Sequence, residues 1–187
     1  MIRKTTAITS APEQLPLAAL EAKGFDILFQ AHARSILTGE FAQALIEISN
    51  ALDSIHLPIT EIIGSGGGET KFTQRLRRSL SRAGWKKHVF EIGKTIDGVP
   101  RESTSHEVDH VKRYDGVGSV AMEIEWNNKD PFYDRDLENF KRLHAEGAIS
   151  VGIIVTRGQS LQNSLHGAVH RFATQRGITS MEKLAEN

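Results

Sequence analysis

The sequence predicts an α/β fold in which an α-β-β-β-α-β core follows an N-terminal helical layer. Three observations carry this reading. Apolar residues recur at helical spacing in residues 39–52 and 69–83. Residues 119–126 alternate between two kinds of side chain with the period of a strand. The run Ala148–Val155, AISVGIIV, is apolar at nearly every position and reads as a central strand covered on both faces.

The elements follow in order. Residues 16–35 carry a helical pattern without sharp boundaries. In residues 39–52, Phe41, Leu45, Ile48 and Leu52 form one stripe, and Pro58 stands beyond the helix end. Gly64-Ser65-Gly66-Gly67-Gly68 is a glycine loop. It is not a Walker phosphate loop, because Glu69-Thr70 stands where Gly-Lys-Ser/Thr is required. A helix from about Glu69 to Ala83 turns Phe72, Leu76, Leu80 and Ala83 inward and its basic residues outward, and Gly84 closes it. Strands are expected at His88–Ile92, His106–Tyr114 and Ser119–Trp126, with Asp115-Gly116 as a strong hairpin signal between the last two. Pro131 is expected to stop the third strand. Asp134 is expected to cap a helix over 135–146, with Asp136 and Glu138 in its first turns and Lys141, Arg142 and His144 toward its end, matching the helix dipole. Gly147 ends that helix, and a last one is expected within 163–175. The chain reads as a single domain, 1–187, with residues 1–63 as the helical layer, 64–160 as the core and 161–187 as a C-terminal helical segment.

A chain of 187 residues with 39% hydrophobic content can bury a proper core. No apolar run approaches the roughly 18 residues needed to span a bilayer. The N-terminus, MIRKTTAITSAPEQ, has no apolar h-region, so no secretory signal and no membrane partner are expected, and the cytoplasm is the default location. The absence of cysteine excludes disulfides and thiolate metal sites. The formal charge is zero, yet the charges are segregated. Between Lys71 and Lys87 stand seven basic residues and no acid, whereas Glu102 to Glu138 is rich in carboxylates. A basic surface beside an acidic pocket suits a polyanionic substrate processed at a metal, although a solvated helix face gives the same basic run.

The stretch AMEIEWNNKDPFYDRD, residues 121–136, carries the chemistry. Met122, Ile124 and Trp126 point to one face of the third strand and Glu123 and Glu125 to the other. Like charges so placed repel unless a cation lies between them, which points to a hard divalent ion such as Mg²⁺. An edge strand that shows its acids to water is the competing explanation. If the hairpin folds about Asp115-Gly116, Asp109 falls across from Glu123, completing a cluster of three carboxylates. A turn centred on Ser119 would bring Asp115 there instead. Asp109 is preferred because Asp-Gly makes the better turn, which leaves Asp115 to turn chemistry.

Asp109, followed on the next strand by Glu123-x-Glu125 within an αβββαβ core, resembles the PD-(D/E)XK nucleases. More closely, EIEWNNKDPFYDRDLENFKRLH resembles the BglII-type branch of type II restriction endonucleases, with BamHI as a relative, and the helix ending LSRAGW before the first strand fits that branch too. The resemblance covers about residues 64–160. It implies a restriction-endonuclease-like core with a mixed sheet flanked by helices, and a homodimeric, Mg²⁺-dependent enzyme that cuts double-stranded DNA at a short palindrome. It also implies that Asp109 and Glu123 bind the metal. Glu125 occupies the position that is Lys in most of the superfamily, where this branch often has Glu or Gln. It would serve as general base or as a second metal ligand. Glu69 resembles an accessory acid of some members, and equally suits a helix N-terminus. The helical layer around residues 24–52 would supply the dimer interface.

Lys129 would offset charge developing on the phosphate, or simply be solvated in its turn. In the resembling enzymes the segment after the catalytic strand enters the major groove. Asn127 and Asn128 suit bidentate pairing to adenine there, and suit turns as well. Arg157, with Thr156 and Gln159 behind it, is a candidate for guanine or phosphate contact. His106 and His110, four apart on a strand, are expected to share a face turned away from Asp109. His166 and His170 lack the acid of an HExxH motif, so a zinc hydrolase is not expected. Two other classes compete with a restriction enzyme: a repair or structure-specific nuclease of the same core, and a non-catalytic DNA-binding module.

Overall fold

A computed structural model describes residues 15–63, 69–126 and 130–178. Four strands form one mixed sheet in the order β1-β2-β3-β4: β1 Lys86–Ile96, β2 Val99–Tyr114, β3 Gly118–Glu125 and β4 Val151–Thr156. The first three are antiparallel neighbours, and β4 runs parallel to β3. Seven helices accompany them among the described residues: α1 Leu15–Ala22, α2 Ala33–Thr38, α3 Ala42–Asp53, α4 Ile59–Ile63, α5 Lys71–Arg82, α6 Asp130–Ala145 and α7 Gln159–Gln175. The α5-β1-β2-β3-α6-β4 series is the core order expected, in a restriction-endonuclease-like arrangement. No helix among the described residues is long and apolar enough to cross a membrane.

The sheet separates two cores. On one face Val120, Met122 and Val151 pack with Phe72, Leu76 and Leu80 of α5, with Phe41, and with the buried stripe Ala44, Leu45, Ile48, Ala51 and Leu52 of α3. On the other face Val108, Ala121 and Ile149 meet Phe140 and Leu143 of α6. This second contact is close, because a Cβ on Gly152 of β4 would lie 2.6 Å from the Phe140 ring. Only glycine lets α6 approach β4 so tightly. The helix is thereby held over β3, and the first core is held by α5, whose start is capped by the Thr70 side chain accepting from the N–H of Thr73.

Several expectations are corrected. Residues 16–35 are not one helix. They form α1 and α2, separated by an irregular stretch in which Phe25, Ile27 and Phe29 pack onto the first core. A short helix, α4, follows Pro58 unforeseen. The first two strands run on into a hairpin turned by Asp97-Gly98, both with positive φ, as a two-residue hairpin turn requires. The apolar strand β4 is an edge strand rather than a central one, though residues along it still pack into both cores. Helix α6 starts at Asp130, so Pro131 lies in a helical first turn, where its missing N–H is harmless, and Asp134 lies inside the helix. Helix α7 starts at Gln159, and none of its residues is buried.

Candidate active site

The register of β2 against β3 runs from Tyr114 opposite Gly118 to His110 opposite Met122, around a turn at Asp115 to Val117. One step further stands Asp109 beside Glu123, and the Asp109 backbone N–H donates to Glu123 Oε1 at 3.1 Å. Asp115 lies in the turn at the far end of this ladder. On its other side β2 carries a bulge. Lys86 pairs with Val111 and His88 with Val108, so two steps of β1 span three of β2. The extra residue breaks the alternation of faces. Val108 joins the core beneath α6, while His110 pairs with Met122 on the opposite face and is buried there. Residues two apart on a regular strand would share a face. His106, opposite Phe90, keeps the face of Val108, so His106 and His110 do not share one as expected. The bulge therefore falls at the proposed strand acid, where it sets the aim of Asp109.

Glu123 and Glu125 lie on the α6 side of β3 and are buried, at 9% and 8% exposure. β3 is flanked by β2 and β4, so an edge strand that shows its acids to water is excluded. A third carboxylate arrives from above. Asp136 of α6 is 4% exposed and stands one turn before Phe140 and two before Leu143, on the buried stripe of its helix. Its Oδ1 accepts from Arg135 at 3.0 Å, and its Oδ2 is enclosed with no hydrogen-bond partner among the described residues. Burial pushes the Glu123 carboxyl up to about 8, and the charges of Asp109, Asp136 and Glu125 push the same way against the Asp109 N–H, its one hydrogen-bond donor among the described residues. Glu123 therefore holds its proton at neutral pH while nothing cationic sits beside it.

The rim supplies cations and rings. Lys87 of β1, opposite the bulge, has its Nζ 2.6 Å from Glu107 and 3.4 Å from the half-exposed Asp109 carboxylate, and these acids raise its ammonium above the usual lysine range. Glu69 pairs with Arg77 at 3.0 Å. At the exit of β3, Trp126 stacks on Phe72 with centroids 4.1 Å apart, and the Arg157 guanidinium lies 5.4 Å from the Trp126 ring. Thr156, beside Glu125 in the register, donates its hydroxyl to the Glu125 carbonyl at 2.9 Å. Asn127, Asn128 and Lys129, like the Gly64–Gly68 loop, lie outside the described residues.

Asp136 and Lys87 were missed in the sequence. Asp136 had a signal, an acid at an apolar stripe position of a helix, which the dipole argument absorbed. Lys87 had none, since only the bulge brings it opposite Asp109. The donor set is oxygen-rich, anionic and poor in hydrogen-bond donors, which suits a hard divalent cation. Among the described residues, however, no three acidic or histidine side chains come close enough together to hold a metal ion.

The family model described as restriction endonuclease BglII/BglIII matches residues 25–187. No curated protein and no solved structure matches the chain.

Proposed function

The chain belongs to the restriction endonuclease BglII/BglIII family, which makes it a site-specific nuclease of double-stranded DNA, and we propose that it cuts a short palindrome as a Mg²⁺-dependent homodimer. The observation that carries the metal assignment is the buried Glu123 carboxyl, crowded by three other acids and held, among the described residues, by one N–H. Such a group is stable as an anion only beside a cation. Asp109 and Glu123 would hold the ion. When bound, it polarises the scissile phosphate and lowers the pKa of a water. Glu125 faces the same side and takes the proton of the attacking water or completes the ligand set. Lys87 and Lys129 offset charge on the phosphate, Asn127 and Asn128 read bases, and Arg157, steadied against Trp126, contacts guanine or phosphate. Glu69, salt-bridged to Arg77, is an accessory acid at most.

A two-fold dimer matches a palindromic site, each protomer cutting one strand. The apolar stripe of α3 is used within the protomer's own core, so the helical layer has Leu28, 93% exposed, and Ile46 to offer a partner. The test is digestion of plasmid with Mg²⁺. The wild-type protein gives discrete bands. Glu123→Ala falls below roughly a thousandth of that rate while still binding DNA. Wild-type cleavage by Glu123→Ala would refute the assignment, and structure-dependent nicking in place of bands would refute the palindrome.

A further inference from the structure

A cleft of about 340 Å³ lies between the end of α3 and the outer face of α5, lined by Ser54, Ile55, Arg75, Arg78, Ser79 and Arg82. Its three arginines belong to a longer row. Lys71, Arg75, Arg78 and Arg82 are spaced four, three and four residues apart, so they form one stripe of α5, opposite the buried Phe72, Leu76 and Leu80. Arg75 is fixed in place, donating to both oxygens of Glu61 at 2.8 Å and to the His56 carbonyl at 2.7 Å. That carboxylate offsets the Arg75 charge, but Arg78 and Arg82 are exposed and have no ion pair among the described residues. Ser54 already gives its hydroxyl proton to the Ala51 carbonyl at 2.9 Å, so the donors aimed into the cleft are the guanidinium groups and the Ser79 hydroxyl. Donors of this kind select the oxyanion of a phosphate.

The row has a direction. Its first turn lies at the exit of β3, where Phe72 stacks on the Trp126 that follows Glu125, on the sheet face opposite Glu123 and Glu125. From Lys71 to Arg82 it extends about 16 Å away, at 1.5 Å per residue. That length matches about five nucleotides of one strand at 3.4 Å per step. We infer that the Arg75–Arg78–Arg82 cleft binds backbone phosphates of DNA flanking the recognition site, so that binding requires duplex beyond the bases that are read. The inference rests on the DNA-binding reading and adds to it a sequence-independent phosphate site outside the active centre.

The experiment compares wild type with the double variant Arg78→Ala/Arg82→Ala, in both cases as the full chain. Each is titrated with a duplex whose site has flanks of about ten base pairs and with one trimmed to about two. Wild type binds the long duplex more tightly, and its log affinity falls more steeply with log salt. The variant loses that preference, and its salt slope on the long duplex falls by about 0.9 for each phosphate released, near two in total. Its affinity for the trimmed duplex and its cleavage rate at saturating long duplex stay at wild-type values. Equal flank dependence and equal salt slopes in the two proteins would overturn the inference. So would a thermal shift with inorganic phosphate that vanishes in the variant without any change in flank dependence, since it would assign the cleft to a free anion. If flank-dependent binding is lost in the variant but no Mg²⁺-dependent cleavage is found in wild type, the nuclease mechanism fails and the phosphate cleft stands.

Discussion

Two glutamates on opposite faces of the same sheet show how environment divides carboxylates into fasteners and reactive groups. Glu47 of α3, 12% exposed, accepts from Lys112 at 2.6 Å, Trp85 and Tyr114 at 3.0 Å and Gln43 at 3.1 Å. Burial alone would push its carboxyl up, but these four donors outweigh burial and hold it below the usual carboxylate range. Glu123, of similar exposure, has among the described residues one backbone donor and three acidic neighbours, and its carboxyl rises to about 8. A fold that needs only a strut supplies donors from its own chain, as around Glu47. Where described donors are few and acids are added, the proposed Mg²⁺ would be the partner that the fold itself does not supply.

The largest expected effect of breaking this contrast is on stability. Glu47→Ala leaves Lys112, Trp85 and Tyr114 without their common acceptor. The unfolding free energy should drop by roughly 2–4 kcal/mol in urea titrations, while cleavage per folded molecule is kept. The depressed carboxyl fixes the pH dependence of this contribution: it is full above about pH 4.5, the ordinary value, and is lost as pH falls through the lower folded value. An unchanged midpoint would show that Glu47 fastens nothing.

An effect of opposite sign is expected at the site. Without metal, the unfolded chain ionises Glu123 above about 4.5 while the folded chain keeps it protonated to about 8. The unfolded state then binds fewer protons, so wild-type stability falls as pH rises across that window, with a slope of at most about 1.4 kcal/mol per pH unit. Glu123→Gln removes the titration. Its stability relative to wild type should climb from pH 4.5 to 8 and level off beyond. Parallel stability curves for the two proteins would mean that Glu123 is compensated within the fold.

The parts of this contrast differ in how legibly the sequence carried them. The faces of β3 were readable because Met122, Ile124 and Trp126 must be buried, which forces Glu123 and Glu125 to the other side. The Asp115-Gly116 pair located the turn but left its register one residue short: a two-residue turn would set Val108 opposite Glu123, and the three-residue turn Asp115 to Val117 brings Asp109 beside it. The extension of β1 and β2 to Asp97-Gly98 was legible only in that Asp-Gly pair, because this end of the hairpin is exposed and no burial pattern is imposed on GKTIDGVPREST. The bulge at Asp109 was hidden for a different reason. An extra residue in a ladder leaves no mark in composition and exists only in the pairing of two strands. The edge position of β4 could not be read, because its apolar character reports coverage of its faces rather than a neighbour on either side. Asp136 could have been read, had the stripe through Phe140 and Leu143 been followed back one turn. The Glu47 hub combines residues up to 67 positions apart, so no local pattern announces it.

The contrast between the two carboxyls is measured most directly by carbon-detected NMR of the glutamate carboxyl groups across a pH titration, with and without Mg²⁺. The account predicts that Glu123 titrates near 8 in metal-free protein and moves to lower pH when Mg²⁺ is added, while Glu47 titrates below 4.5 in both conditions. Two carboxyls that both titrate in the ordinary range, with no response of Glu123 to Mg²⁺, would contradict it.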